Sequence, residues 1–124
     1  MAVGITLDAG ALIAFERGER RAVALVARAR ERGERLCVPA GVVGQAWRDG
    51  RRQSNLARLL SAADIVVLDD RGSRAAGQLL GVSGGSDVID ATVVLCARSR
   101  NHRIATSDPD DLRRLDPRAE LMVV

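Results

Sequence analysis

The sequence predicts an α/β protein: a three-layer α/β/α sandwich around a mainly parallel central sheet. Three observations lead there. Short apolar runs alternate with stretches of helical spacing along the whole chain. Hairpin signals are few, so successive strands must be joined by crossovers. A chain of 124 residues, 47% hydrophobic and 28% charged, can bury one core without disulfide or metal staples. A parallel sheet built this way is covered by helices on both faces.

The elements follow in order. Val3 to Leu7 is a short apolar strand, and Ala9 to Glu16 continues with helical spacing. Arg20 to Arg32 sets Val23, Val26 and Ala27 on one face against arginines on the other, and Gly33 ends that helix. Leu36 to Val38 is the second strand. Pro39 is expected in the first turn of the next helix, where proline is tolerated, with the helix running to Arg48 and Gly50 breaking it. Ser54 to Ala63 is helical, and Ile65 to Leu68 (IVVL) is the third strand. A helix over Ser73 to Leu80 leads to the loop GVSGG, and Asp87 to Ser99 is a strongly apolar helix. Arg103 to Thr106 is the fourth strand, Pro109 to Leu115 a short helix, and Glu120 to Val123 the fifth strand. There is no repeat, low-complexity tract or linker, so the expectation is one domain over 1–124.

Composition narrows the function classes. No apolar run approaches the length of a membrane span. The opening MAVGITLDAG lacks the layout of a signal peptide. Cys37 and Cys96 match no metal-binding spacing and read as core thiols of a reducing compartment, the cytoplasm. A single His102 cannot complete a zinc set. All 19 cations are arginine, which reflects either base composition or a use for phosphate, since the planar guanidinium binds two oxygens at once.

Eleven of the 16 acids are aspartates, and several fall where chemistry is expected. In open parallel sheets the functional crevice lies beyond the carboxyl ends of the strands. Asp8 directly follows the first strand, and Asp108 follows the fourth after one residue. Asp87 opens the helix feeding the fourth strand, with Asp90 one turn on. If the first and fourth strands are neighbours, these carboxylates converge. Crowded carboxylates repel, and a hard divalent cation removes that cost and can activate water against a phosphodiester. Each acid also has a plainer use. Asp8, Asp87 and Asp108 are all placed to cap a helix, Asp108 with Pro109 behind it. Asp90 has no such use: it stands inside an apolar helix, where it is either solvated or, if buried, a carboxylate that needs a partner, and a place in or beside the cluster is the favoured reading.

These residues resemble the PIN-domain family, and within it the VapC-like ribonuclease toxins of type II toxin–antitoxin pairs. The resemblance rests on ITLDAGALIAFERGE, SDVIDATVVLCARSR and IATSDPDDLRRL, in that order, and covers nearly the whole chain. The wording VIDATVVLCA…TSDPDDL resembles an actinobacterial branch. The resemblance implies a Rossmann-like sandwich and a Mg²⁺- or Mn²⁺-dependent endoribonuclease, with Asp8, Asp87 and Asp108 holding the metal. The family's second acid, a glutamate, falls on Gln45, which is neutral but can ligate through oxygen or hold a water. Asp90 stands where the family has an apolar residue, and is the candidate to supply the missing charge. Without it, the chain is a weakened or inactive PIN-like module that binds RNA or a protein. The resemblance also implies an antitoxin covering the crevice, and a homodimer.

The remaining features are weaker. Thr106 is placed to orient Asp108. Arg48, Arg51, Arg52 and Arg58 follow Gln45, either as phosphate contacts to RNA or as a solvated face paired with Asp49. Trp47 reads as a core or interface anchor, and with Phe15 the only other aromatic there is no stacking platform. GVSGGS lacks the Lys-Ser/Thr of a P-loop and reads as a connector that leaves the crevice open. A receiver-like signalling domain also gathers aspartates at strand ends, but such domains use a lysine and this chain has none.

Overall fold

The structure, a computed structural model, describes residues 3–124. Met1 and Ala2, which open the stretch read for a leader, lie outside them. Five strands form one sheet: β1 (Gly4–Leu7), β2 (Arg35–Pro39), β3 (Asp64–Val66), β4 (Arg103–Thr106) and β5 (Leu121–Val123). Their order is β3-β2-β1-β4-β5, and all four pairings are parallel. The expected sheet is therefore present, and β1 and β4 are neighbours, with Thr6 opposite Ile104 and Leu7 opposite Ala105.

Seven helices connect the strands: α1 (Ala9–Glu16), α2 (Arg20–Glu31), α3 (Ala40–Ala46), α4 (Ser54–Ser61), α5 (Asp70–Ser83), α6 (Val88–Arg100) and α7 (Pro109–Leu115). Helix α1 packs on α2, α3 and α4, while α6 packs on β1, β2 and β4 and against α5 and α7. The sheet is thus covered on two sides. Every residue of GITL in β1 is buried, as a central strand with both faces covered requires. Thr6 turns toward α6, where its hydroxyl meets Cys96 Sγ at 3.8 Å and His102 Nδ1 at 3.2 Å. Ile5 and Leu7 point to the opposite face. Cys37 and Cys96 are buried free thiols, as read. No single helix among the described residues is long and apolar enough to cross a membrane.

Several boundaries differ from the sequence reading. The third strand, expected over Ile65 to Leu68, is Asp64–Val66: its pairing with β2 ends at Pro39 and Val66, and Val67 beyond it is exposed. Pro39 closes β2 instead of opening a helix: its ψ of 142° keeps it extended, and it pairs with Val66. Helix α3 stops at Ala46, because Trp47 already has an extended ψ of 133°, so the break precedes Gly50. Helix α5 starts earlier and ends later than expected. Asp69 Oδ1 accepts the Gly72 N–H at 2.7 Å and caps it, and the helix runs through Gly77 and Gly81 to Gly84, whose φ of 77° closes it. Each internal glycine costs about 1 kcal/mol of helix propensity, which packing along α6 and α7 offsets.

Candidate active site

The sheet order reverses between β1 and β4: the chain moves from β1 outward to β2 and β3, then returns to the far side of β1. A crevice opens at the carboxyl ends of such a pair, because the crossovers leave in opposite directions. Asp8 and Asp108 stand at this point.

Asp8 is buried at the start of α1, where its Oδ1 accepts the Ala11 N–H at 2.8 Å. Burial pushes its pKa up. Hydrogen bonds from Thr106 and Ala11 pull it back down, and the charge of Asp108 raises it again. Thr106 is fully buried and serves both acids. Its hydroxyl donates to Asp8 and accepts the Asp108 N–H at 2.9 Å. The β4–α7 turn also comes close to α1, since a Cβ at Gly10 would collide with Ser107 Oγ.

Asp108 precedes α7, is exposed, and makes no side-chain cap bond; its carboxyl meets Asp111 instead. Its pKa is raised first by a hydrogen bond shared with Asp111, then by desolvation and the charges of Asp111 and Asp110. Asp87 Oδ1 accepts the Asp90 N–H at 3.0 Å and caps α6, as Asp8 caps α1. Asp90 is half-buried. Desolvation, then the charges of Asp87, Asp111, Asp8 and Asp108, push its pKa up to about 6. It is the one carboxylate here that responds to all the others.

Asp87, Asp90, Asp111 and Arg114 line a cavity of about 550 Å³ between the 83–87 loop and α7. Asp111, in the first turn of α7, was not among the acids singled out in the sequence. Its i,i+3 spacing from Asp108 was the available signal, and Arg114 pairs with it at 3.4 Å. Gln45 is exposed on α3, one turn after Gly41, and a Cβ at Gly41 would collide with Ile89 of α6. The helix bearing Gln45 therefore abuts the start of the helix bearing Asp90. Arg48, Arg51 and Arg52 lie on the exposed 47–53 turn, away from the walls of this cavity. Trp47 is there too, 37% exposed, and is not a core residue.

The donor set is all hard oxygen, which suits Mg²⁺ or Mn²⁺ and not zinc. Among the described residues no three His, Cys, Asp or Glu side chains are gathered closely enough to hold a metal ion by themselves. Such an arrangement fits an ion held by one or two carboxylates with waters completing its shell, the usual manner of Mg²⁺.

Residues 5–117 match the PIN domain family. The chain belongs to that family. PIN domains are typically nucleases and typically use divalent metals. Solved structures share the fold of this PIN domain. VapBC2 from Rickettsia felis, bound to a DNA fragment from its promoter, is 16% identical, with a TM-score of 0.72 over 97% of this chain and 98% of that one. A protein of Pyrobaculum aerophilum is 21% identical, with a TM-score of 0.66 over 98% and 92%. FitAcB from Neisseria gonorrhoeae is 16% identical, with a TM-score of 0.61 over 95% and 96%. The actinobacterial likeness of the α6–β4 wording gains no support from these three. No curated protein matches the chain in sequence.

Proposed function

We propose that this PIN domain is a metal-dependent endoribonuclease and the toxin of a toxin–antitoxin pair. The observation that carries the reading is Asp90. A half-buried carboxylate on an apolar helix faces the acids of β1, β4 and α7 with no lysine anywhere in the chain to neutralise it. That placement is costly for folding alone and useful for holding a cation. One or two of the carboxylates of Asp8, Asp87, Asp90 and Asp108 would hold the ion, with waters completing its shell, Asp111 at its margin and Gln45 as a neutral oxygen donor. The bound cation supplies an activated water and a clamp on the phosphate. The chain's own residues prepare the place: Thr106 holds Asp8 and the Asp108 backbone in one geometry, and the α1 cap fixes the Asp8 rotamer. An antitoxin covering the crevice, a homodimer and a cytoplasmic site of action complete the proposal. The kinship with toxin–antitoxin complexes in fold supports the partner.

The test is cleavage of mixed single-stranded RNA with Mn²⁺, comparing the parent, Asp8→Asn and EDTA-treated protein. Asn still caps a helix, so the variant is expected to fold and to lose at least ~100-fold in rate. Cleavage that survives both treatments would reject the site. If no sample cleaves and calorimetry detects no Mn²⁺ binding, the chain is a non-catalytic binding module.

A further inference from the structure

The turn between α3 and α4 is unusually well fastened for an exposed segment. Gln53 is buried beneath it, although glutamine is usually exposed. Its Oε1 accepts the N–H groups of Arg48 (2.8 Å) and Asp49 (2.9 Å), and its Nε2 donates to Ala46 O at 2.9 Å. Asp49 Oδ1 accepts the Arg51 N–H at 3.1 Å, and the Arg52 N–H donates to Asp49 O at 3.0 Å. Arg48 Nη1 donates to Gly44 O and Trp47 O. The Trp47 indole lies over Gly50, where a Cβ would stand 2.7 Å from Cζ2.

Gln53 ties the buried end of α3 to the start of α4, while residues 47–52 above it are exposed. What the turn leaves in solvent is two guanidinium groups, those of Arg51 and Arg52, and the chain's one tryptophan, while the Arg48 guanidinium is folded back onto Gly44 O and Trp47 O. Asp49 meets one of them, Arg52, at 3.9 Å and leaves a surplus of positive charge. The turn also lies just past Gln45, a helix of roughly 10 Å from the start of α3 at the rim of the sheet. A strand of RNA crossing the crevice would reach it.

We infer that the 47–53 turn is a phosphate-binding platform for single-stranded RNA, with Arg51 and Arg52 as phosphate contacts and Gln53 as the residue that positions them. The inference rests on the ribonuclease reading for its ligand, but its test needs no cleavage. Pinning the backbone matters because arginine side chains are rich in rotamers, and a fixed base lowers the ordering cost of each contact. A polypeptide partner is disfavoured as the occupant: the turn offers no apolar floor beyond the one indole.

Trp47 makes the site directly observable, since it is the only tryptophan. The experiment titrates a 2′-O-methyl RNA 12-mer of mixed sequence into the protein in EDTA, following tryptophan emission and, in parallel, the anisotropy of a labelled copy. Emission is expected to change along the same isotherm as the anisotropy. Arg51→Ala/Arg52→Ala should weaken binding about tenfold and lower the salt slope by roughly 1.4, the value for two single-strand phosphate contacts. Arg20→Ala/Arg21→Ala, which removes equal charge from α2, should leave affinity within about twofold. Gln53→Met keeps every arginine, and should weaken binding about threefold with the fold confirmed by circular dichroism. The site is overturned if anisotropy reports binding while Trp47 is silent, if the two double variants lose affinity equally, or if only an acidic polypeptide, polyglutamate, binds. The positioning role is overturned if folded Gln53→Met binds as the parent does. A ribonuclease that fails this test remains a ribonuclease, and a protein that passes it without cleaving is an RNA-binding PIN domain.

Discussion

Asp90 and Thr106 show how single side chains separate function from packing. The folded-state pKa of Asp90 is about 6 against 3.8 for the free group. A raised acid favours folding fully only below its unfolded pKa, and that contribution is lost as pH rises through the folded value. Asp90→Asn is therefore expected to be more stable than the parent at pH 8. The gain should be about 1 kcal/mol once screening at a half-exposed position is allowed for, and should vanish below pH 4. Urea denaturation at the two pH values measures it, and a constant difference would show that the repulsion is not the cause. Thr106→Val keeps the shape but removes the hydroxyl shared by Asp8 and Asp108. It should cost about 1–3 kcal/mol, and should lower kcat more than it raises KM. Thr106→Ser should restore both; a variant that loses stability but not rate would make Thr106 purely structural.

At the scale of elements, the site depends on how closely three segments approach. The β4–α7 turn reaches the start of α1 only because Gly10 has no Cβ to meet Ser107. Gly10→Ala forces the Ser107 hydroxyl to rotate and meets Ser107 Cβ at 3.0 Å, so the turn carrying Asp108 is expected to shift by a few tenths of an ångström. A loss of about 1–3 kcal/mol is expected from overpacking, together with a weaker response to Mn²⁺. Chemical denaturation and calorimetry read the two effects, and a variant with parental values in both would show that the turn yields freely. The helix caps were legible in sequence because a cap is local. Asp8 and Asp87 each accept an N–H three residues on. The extent of α5 was not legible, since Gly72 and Gly81 near its two ends signal loop, and contact with α6 and α7 supports the longer helix. Pro39 misled for a similar reason: pairing with Val66 extended the strand by a residue.

For the whole molecule, the concentration of negative charge at one end of the sheet makes stability responsive to cations. Anything bound by the folded state alone stabilises it, by about 2.7 kcal/mol at a hundredfold excess over Kd. Mn²⁺ is expected to raise Tm by several degrees in the parent and to have no effect on Asp8→Asn/Asp90→Asn. Differential scanning calorimetry decides this, and an equal shift in both proteins would place the ion elsewhere. The arginines lie largely away from that end. Arg103 bridges Glu34 at 2.7 Å, Arg35 pairs with Asp64, and Arg98 with Asp116, so part of the basic surplus is spent on the fold's own surface.

The sequence alone determined the α/β class, the element order and the aspartates at strand ends, because periodicity, capping and strand-end placement are written in neighbouring residues. Only the tertiary structure showed which acids each aspartate faces. The sequence reads Asp87 as a helix cap and Asp90 as a carboxylate that needs a partner if buried, but nothing local names that partner. Asp87 bonds its own helix, and Asp90 feels acids brought from β1, β4 and α7. Asp111 and Gln53 were likewise hidden: the worth of a carboxylate or an amide depends on what surrounds it, and those surroundings come from distant parts of the chain.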